Sequence, residues 1–246
     1  MKQIYLDHAA STPVRKEVLR AMLPYFSRHY ANPSSVHAMG KEARSAVERS
    51  RETVMHLLGA KKAQEIIFTG SGTESINLAL IGVVRAAAKN RKRTHLITSC
   101  IEHKAVLETC RFLEQYCGVA VTYLPVDRLG RVKPEDVEEA ITPQTVLISI
   151  MYANNEIGTI QPIAEIGRIA HKHHVLFHTD ACQAAGALDL SVQTLNVDLL
   201  TLNGSKMYGP KGVGLLYVRE GVRLTPLIQG GGQEFGLRGG TENVSN

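Results

Sequence analysis

Seven short runs rich in β-branched and aromatic residues recur along the chain, separated by stretches of helical periodicity. No other feature limits the possible folds so strongly. The runs occupy 65–68, 94–98, 119–124, 145–150, 175–178, 198–202 and 214–218, each of ordinary strand length. Among the intervening stretches, 41–58 puts Ala43, Ala46, Val47, Val54, Leu57 and Leu58 on one face and stops at Gly59, as an amphipathic helix does. Residues 73–88 are apolar almost all round and predict a buried helix. Residues 162–173 open with Pro162 and turn Ile163, Ile166, Ile169 and Ala170 inward. Such alternation builds βαβ units, hence a three-layer α/β/α fold on a mainly parallel sheet. Ligands in these sheets bind at the carboxyl ends of the strands, so chemistry is expected just after each run.

Composition narrows the function classes. The first residues reach Asp7 before any long apolar run, which is not a secretory signal, and no stretch approaches the ~18 apolar residues of a membrane span. A cytoplasmic protein without a membrane partner is expected. The chain divides into an N-terminal segment, 1–14, and one large domain, 15–246. Cys100, Cys110, Cys117 and Cys182 form no CxxC pair, so reduced and mostly buried thiols are expected rather than disulfides or zinc. The net charge is +5, and the densest basic run is Lys89, Arg91, Lys92 and Arg93. No aromatic residue is interleaved there, which points to a solvated helix end and not to a nucleic-acid surface.

Polar residues gather after the strands. Thr69-Gly70-Ser71-Gly72-Thr73-Glu74-Ser75 opens the buried helix; its free amides suit a phosphate, and a simple helix cap would look similar. Asp180, in His178-Thr179-Asp180-Ala181-Cys182-Gln183, supplies the carboxylate that a pyridinium ring such as that of pyridoxal phosphate (PLP) needs to stay protonated, or else caps a helix. Gln183 reaches toward the phenolic oxygen of such a ring. Lys206 sits in a glycine-rich turn nearer its strand end than Lys211, and is the better candidate to hold a carbonyl cofactor as an imine. His103 and Asn155 also follow strands; an imidazole there stacks on a flat ring or shuttles protons, or is structural.

Seven segments carry a family likeness in order: Tyr5-Leu6-Asp7-His8-Ala9-Ala10-Ser11-Thr12-Pro13, Asn32-Pro33-Ser34-Ser35, Glu102-His103-Lys104-Ala105-Val106, Asn154-Asn155-Glu156-Ile157-Gly158, Asp180-Ala181-Cys182-Gln183, Lys206-Met207-Tyr208-Gly209-Pro210-Lys211-Gly212 and Arg238-Gly239-Gly240-Thr241-Glu242-Asn243. Through them the chain resembles the cysteine desulfurases of the NifS and IscS type, in the class V branch of fold-type I PLP enzymes. The resemblance implies conversion of L-cysteine to L-alanine, with sulfur left as a persulfide for an iron–sulfur scaffold or another thiol acceptor. Lys206 would bind the cofactor and move the α-proton, and His103 would stack on the ring. Asp180 would pair with the ring nitrogen, with Asn155 and Gln183 on the phenolic side. Gly72, Thr73 and Ser205 would hold the phosphate, Asn203 would be a further cofactor contact, and Thr241 would reach the phosphate of the partner in a homodimer. Other class V activities, selenocysteine lyase or aminotransferase, and a catalytically incomplete PLP-binding interaction module are the alternatives.

Two departures stand out. Ser205 occupies the position where the family often has histidine. The family's persulfide cysteine and its carboxylate-binding arginine belong to a smaller C-terminal domain, and neither motif occurs in these 246 residues, so a C-terminally truncated chain is expected.

Overall fold

The computed structural model describes residues 4–88 and 94–246; the basic run at Lys89, Arg91, Lys92 and Arg93 lies outside them. All seven runs are strands, with ends shifted by no more than two residues: β1 Ile66–Thr69, β2 His95–Ser99, β3 Ala120–Leu124, β4 Thr145–Ser149, β5 Leu176–Asp180, β6 Leu199–Asn203 and β7 Gly214–Val218. The helices are α1 Lys16–Met22, α2 Pro24–Ser27, α3 Ala38–Leu58, α4 Gly72–Ala88, α5 Lys104–Cys117, α6 Pro134–Ala140, α7 Ile163–Lys172 and α8 Val192–Leu195. None of them is long and apolar enough to cross a membrane.

The strands form one sheet in the order β1-β7-β6-β5-β4-β2-β3. β2 to β6 pair in parallel, whereas β7 runs antiparallel to both β1 and β6. The connection 204–213 is shorter than the roughly twelve residues a parallel crossover needs, so β7 must return alongside β6. One core packs α3, α6, α7 and α8 against the sheet through residues such as Leu58, Val137, Ile166, Leu195 and Phe177. The other packs α4 and α5 through Leu80, Val83, Val106, Leu113 and Leu147. The three layers are those that the alternation of periods predicts.

Local readings need two corrections. Leu57 was placed on the inner face of α3 but is 73% exposed, because Leu58, one residue and about 100° further round, takes the core position. Arg51 is buried on that helix instead. The thiols are not mostly buried: Cys100 and Cys117 are exposed, Cys182 is half-buried and only Cys110 is buried.

Candidate active site

The chain passes from β3 across β2 to β4, so the order of the sheet reverses between β2 and β4. Loops at such a switch point part and leave a crevice. A cavity of about 270 Å³ opens there, just under the usual range for ligand pockets of roughly 300–1,000 Å³. Its walls come from the β1–α4, β2–α5 and β4–α7 connections, the ends of β5 and β6, and the N-terminal segment.

Lys206 enters from a short 3₁₀ turn, Gly204–Lys206, directly after β6. Its Nζ donates to the carbonyls of Ala9 and Ala10, each at 2.6 Å. Gln183 Nε2 donates to the same Ala9 carbonyl at 2.9 Å. Thr12 fixes the arrangement. Its amide and hydroxyl donate to the Ser205 carbonyl at 2.9 and 3.0 Å, and its Oγ1 accepts from the Tyr208 amide at 2.8 Å. Gly204 is required in this turn, since a Cβ there would lie 2.6 Å from Val213 Cγ1.

Asp180 ends β5 and is 6% exposed, yet it lines the cavity. Its Oδ1 accepts from the Cys182 amide at 3.0 Å, so it caps a turn and not a helix. Two residues earlier on the same strand face, His178 is fully buried. Its ring nitrogens bond Ser149 Oγ at 2.8 Å and Thr201 Oγ1 at 3.0 Å. Burial pushes that imidazole down to about 3, so the layer beneath Asp180 is polar and uncharged. Burial, followed by the Asp180 charge, pushes the Cys182 thiol well above its usual range.

His103 is the N-cap of α5, with Nδ1 accepting from the Ala105 amide at 3.1 Å. A nitrogen that accepts carries no proton, so the neutral ring bears its hydrogen on Nε2. Behind it, Glu102 Oε1 accepts from Ser99 Oγ at 2.6 Å and from the Met151 amide at 2.9 Å. Glu102 Oε2 has no partner, and burial pushes this carboxyl up to about 8.

At the opposite wall, Ser71 caps α4. Its Oγ accepts from the Glu74 amide at 3.1 Å and its carbonyl from the Ser75 amide at 3.1 Å. The amides of Gly72 and Thr73, which no intrahelical carbonyl can serve, stand at the cavity wall. The cap therefore leaves these two amides without an intrahelical acceptor. A Cβ on Gly72 would lie 3.0 Å from Cys182 Sγ and 3.2 Å from Asn203 Cβ, so only glycine brings this backbone so close to the floor.

Of the candidates from sequence, Gly72, Thr73, His103, Asn155, Asp180, Gln183, Asn203 and Lys206 share this cavity. Ser205 does not line it: the residue is buried and its hydroxyl points to Asn203 Oδ1 at 3.4 Å. Thr241 lines a second hollow of about 200 Å³ beside β1 and α3. Lys211 is exposed and lines neither. Asp7, Ala9, Ala10, Met151 and Cys182 also line the cavity. The two alanines contribute backbone carbonyls, for which a side-chain reading has no signal.

An α/β/α sheet with a lysine, a buried carboxylate and open helix amides around one switch-point cavity defines a class of cofactor-binding enzyme folds. Within it the chain belongs to the aminotransferase class-V family, whose model matches residues 4–245. It is 53% identical to the cysteine desulfurase IscS of Dictyoglomus turgidum over 99% of this chain and 61% of that protein. It is 51% identical to a mitosomal cysteine desulfurase of Trachipleistophora hominis over 97% of this chain and 54% of that protein. The chain thus spans about 60% of the length of the curated relatives it matches. Among solved structures, SspA in complex with cysteine superposes with a TM-score of 0.94 at 49% identity, covering 99% of this chain and 70% of that one. A NifS-like protein gives 0.95 at 45% identity, covering 99% and 66%.

PLP is the cofactor of this family, and the cavity fits it. An amine, a carboxylate, a flat imidazole and a pair of unserved amides match the aldehyde, ring nitrogen, ring face and phosphate of that molecule.

Proposed function

We propose that this chain is the cofactor-binding portion of a PLP-dependent cysteine desulfurase. The convergence of Lys206, Asp180, His103 and the Gly72–Thr73 amides on one cavity carries the reading. Relatives named cysteine desulfurase, and a separate solved neighbour, SspA, in complex with cysteine, support the substrate. The reaction turns L-cysteine and a thiol into L-alanine and a persulfide: the carbon–sulfur bond breaks and leaves its electron pair on carbon, a sulfur–sulfur bond forms, and one proton takes the place of sulfur on the β-carbon.

When bound, PLP supplies an electron sink for the negative charge that develops at the substrate α-carbon. Lys206 Nζ would hold the aldehyde end and take the α-proton. Its two carbonyl partners keep the amine aimed into the cavity before the cofactor enters. Asp180 would set its carboxyl group against the ring nitrogen, with the uncharged His178 below it. His103 covers one ring face while its Nδ1 stays engaged in the cap, leaving Nε2–H as the free donor. Asn155 and Gln183 would serve the phenolic oxygen, and Gly72 and Thr73 would hold the phosphate, with Asn203 beside them and Ser205 acting through Asn203. Thr241, exposed and off the cavity, serves the phosphate of a second copy in a homodimer. Burial beside Asp180 disfavours the Cys182 thiolate, and its sequence context is not that of the family's persulfide cysteine, so the sulfur acceptor is assigned to another thiol. The sulfur leaves on a thiol for an iron–sulfur scaffold or another acceptor protein, in the cytoplasm.

Borohydride reduction of the chain incubated with PLP, followed by peptide mapping, tests the assignment. The pyridoxyl label should fall on Lys206. A label on Lys211, or none, would defeat it.

A further inference from the structure

The phosphate end of the cavity carries an acidic residue that ought to harm it. Glu74 lies in the first turn of α4, where the helix dipole favours negative charge. The same property draws a ligand phosphate to Gly72 and Thr73. A free carboxylate there would compete with the phosphate and repel it. Both oxygens are instead turned away. Oε2 accepts from the Gly70 amide at 2.8 Å and Oε1 from Arg238 Nε at 3.0 Å, with both side chains only about a quarter exposed.

Arg238 belongs to the glycine-rich stretch near the chain end, and that stretch is anchored a second time. Glu234 accepts from Arg51 Nη1 and Nη2 at 2.8 and 2.9 Å, and from the Phe68 amide at 2.8 Å. The Arg51 guanidinium lies between the rings of Phe68 and Phe235, at 4.9 and 5.0 Å from their centroids. The amides of Phe68 and Gly70, on either side of Thr69, are thus each held by a carboxylate that an arginine neutralises. The turn leading into Gly72 and Thr73 has little freedom left.

We propose that Glu74 and Arg238 are a positioning pair, tying the glycine-rich stretch to the β1–α4 turn and presenting the Gly72 and Thr73 amides to an anion. The pair neither touches the cofactor ring nor moves a proton. Arg238 cancels the Glu74 charge, Glu74 fixes Gly70, and the open amides keep their direction. This inference rests on reading the cavity as the PLP site, and it deepens that reading at the phosphate end.

The test uses the whole chain and two measurements. The first is amide hydrogen exchange of peptides spanning 69–75 without cofactor. The second is the dissociation constant for PLP and, separately, for pyridoxal, which lacks the phosphate. Losing one charge-assisted bond should speed exchange at 69–75 about tenfold in Arg238→Met and leave β3 peptides unchanged. PLP should bind about tenfold more weakly and pyridoxal by less than about twofold. Arg238→Lys should recover most of both effects, since Arg238 makes a single bond here. In a Glu74→Ala background, Arg238→Met should have no further effect on exchange. Unchanged exchange in Arg238→Met overturns the pair, as does equal loss of PLP and pyridoxal, or an undiminished effect in the Glu74→Ala background. Failure of the unaltered chain to bind PLP would count against the functional reading, and the exchange measurements alone would then decide the pair.

Discussion

Replacing Glu102 by glutamine should flatten the dependence of stability on pH across the neutral range. The carboxyl is 5% exposed, accepts two hydrogen bonds on Oε1 and none on Oε2. Burial raises it from an ordinary 4.5 to about 8, the Ser99 and Met151 bonds oppose that rise, and the Asp180 charge adds to it. A raised folded-state value means that the folded protein holds the proton more tightly than the unfolded chain. The stabilisation is therefore complete below about pH 4.5 and is lost as pH climbs through about 8. A shift of about 3.5 units at 1.36 kcal/mol each comes to about 5 kcal/mol, of which about 4 falls between pH 5 and 8.5. Relaxation and water entry around a buried charge bring the expected change to about 2–4 kcal/mol.

Urea unfolding of both proteins at intervals from about pH 5 to pH 8.5 measures this, because every other titrating group is common to the pair and drops out of the difference. Glutamine keeps the Oε1 acceptor for Ser99 and Met151. Its amide adds a buried donor, whose cost is the same at every pH and moves only the offset. The unaltered protein should lose stability relative to Glu102→Gln as pH rises. Parallel curves would refute the reasoning, since they would mean that Glu102 is already charged at low pH or gains a partner on Oε2.

Two further outcomes follow from particular contacts. Arg51→Met leaves the Glu234 carboxylate buried without its arginine, and should destabilise the chain by about 3–5 kcal/mol. Adding Glu234→Gln should recover much of that, and a loss below about 1 kcal/mol for the single variant in urea unfolding would contradict the picture of a buried pair. His103→Ala removes the cap of α5 and should cost about 1 kcal/mol, whereas His103→Asn keeps an acceptor and should stay within about 0.5 kcal/mol of the unaltered chain. Equal loss in the two variants would show that the imidazole stabilises by packing and not as a cap.

What was legible in the sequence divides along physical lines. Strand runs announce themselves because β-branched residues suit a pleated, buried surface, and the rule that ligands sit at strand ends then brings Lys206, Asp180, His103 and Asn155 together without knowledge of the sheet order. The pattern carries no strand direction, yet the short 204–213 connection already forbade a parallel β7. Contacts made by main chain were invisible: Ala9 and Ala10 hold Lys206 through carbonyls that every residue possesses. Ser205 stays off the cavity wall for a related reason. The resemblance put it at the phosphate end, but Asn203 two residues earlier takes its amide and hydroxyl at 3.3 and 3.4 Å, and a local bond competes well with a distant ligand. Arg51 escaped because a charged residue on an amphipathic helix reads as solvent-facing until its partner is known. That partner, Glu234, lies far along the chain, in a turn where Glu234 and Phe235 both take positive φ, 46° and 58°. Such strain persists only where surrounding contacts hold it, and here the contacts are the two Arg51 bonds, the Phe68 amide and the stacked rings. The polar residues that line the cavity were thus readable from type and position. Those that hold them still depend on pairings between distant segments, which only the folded chain brings together.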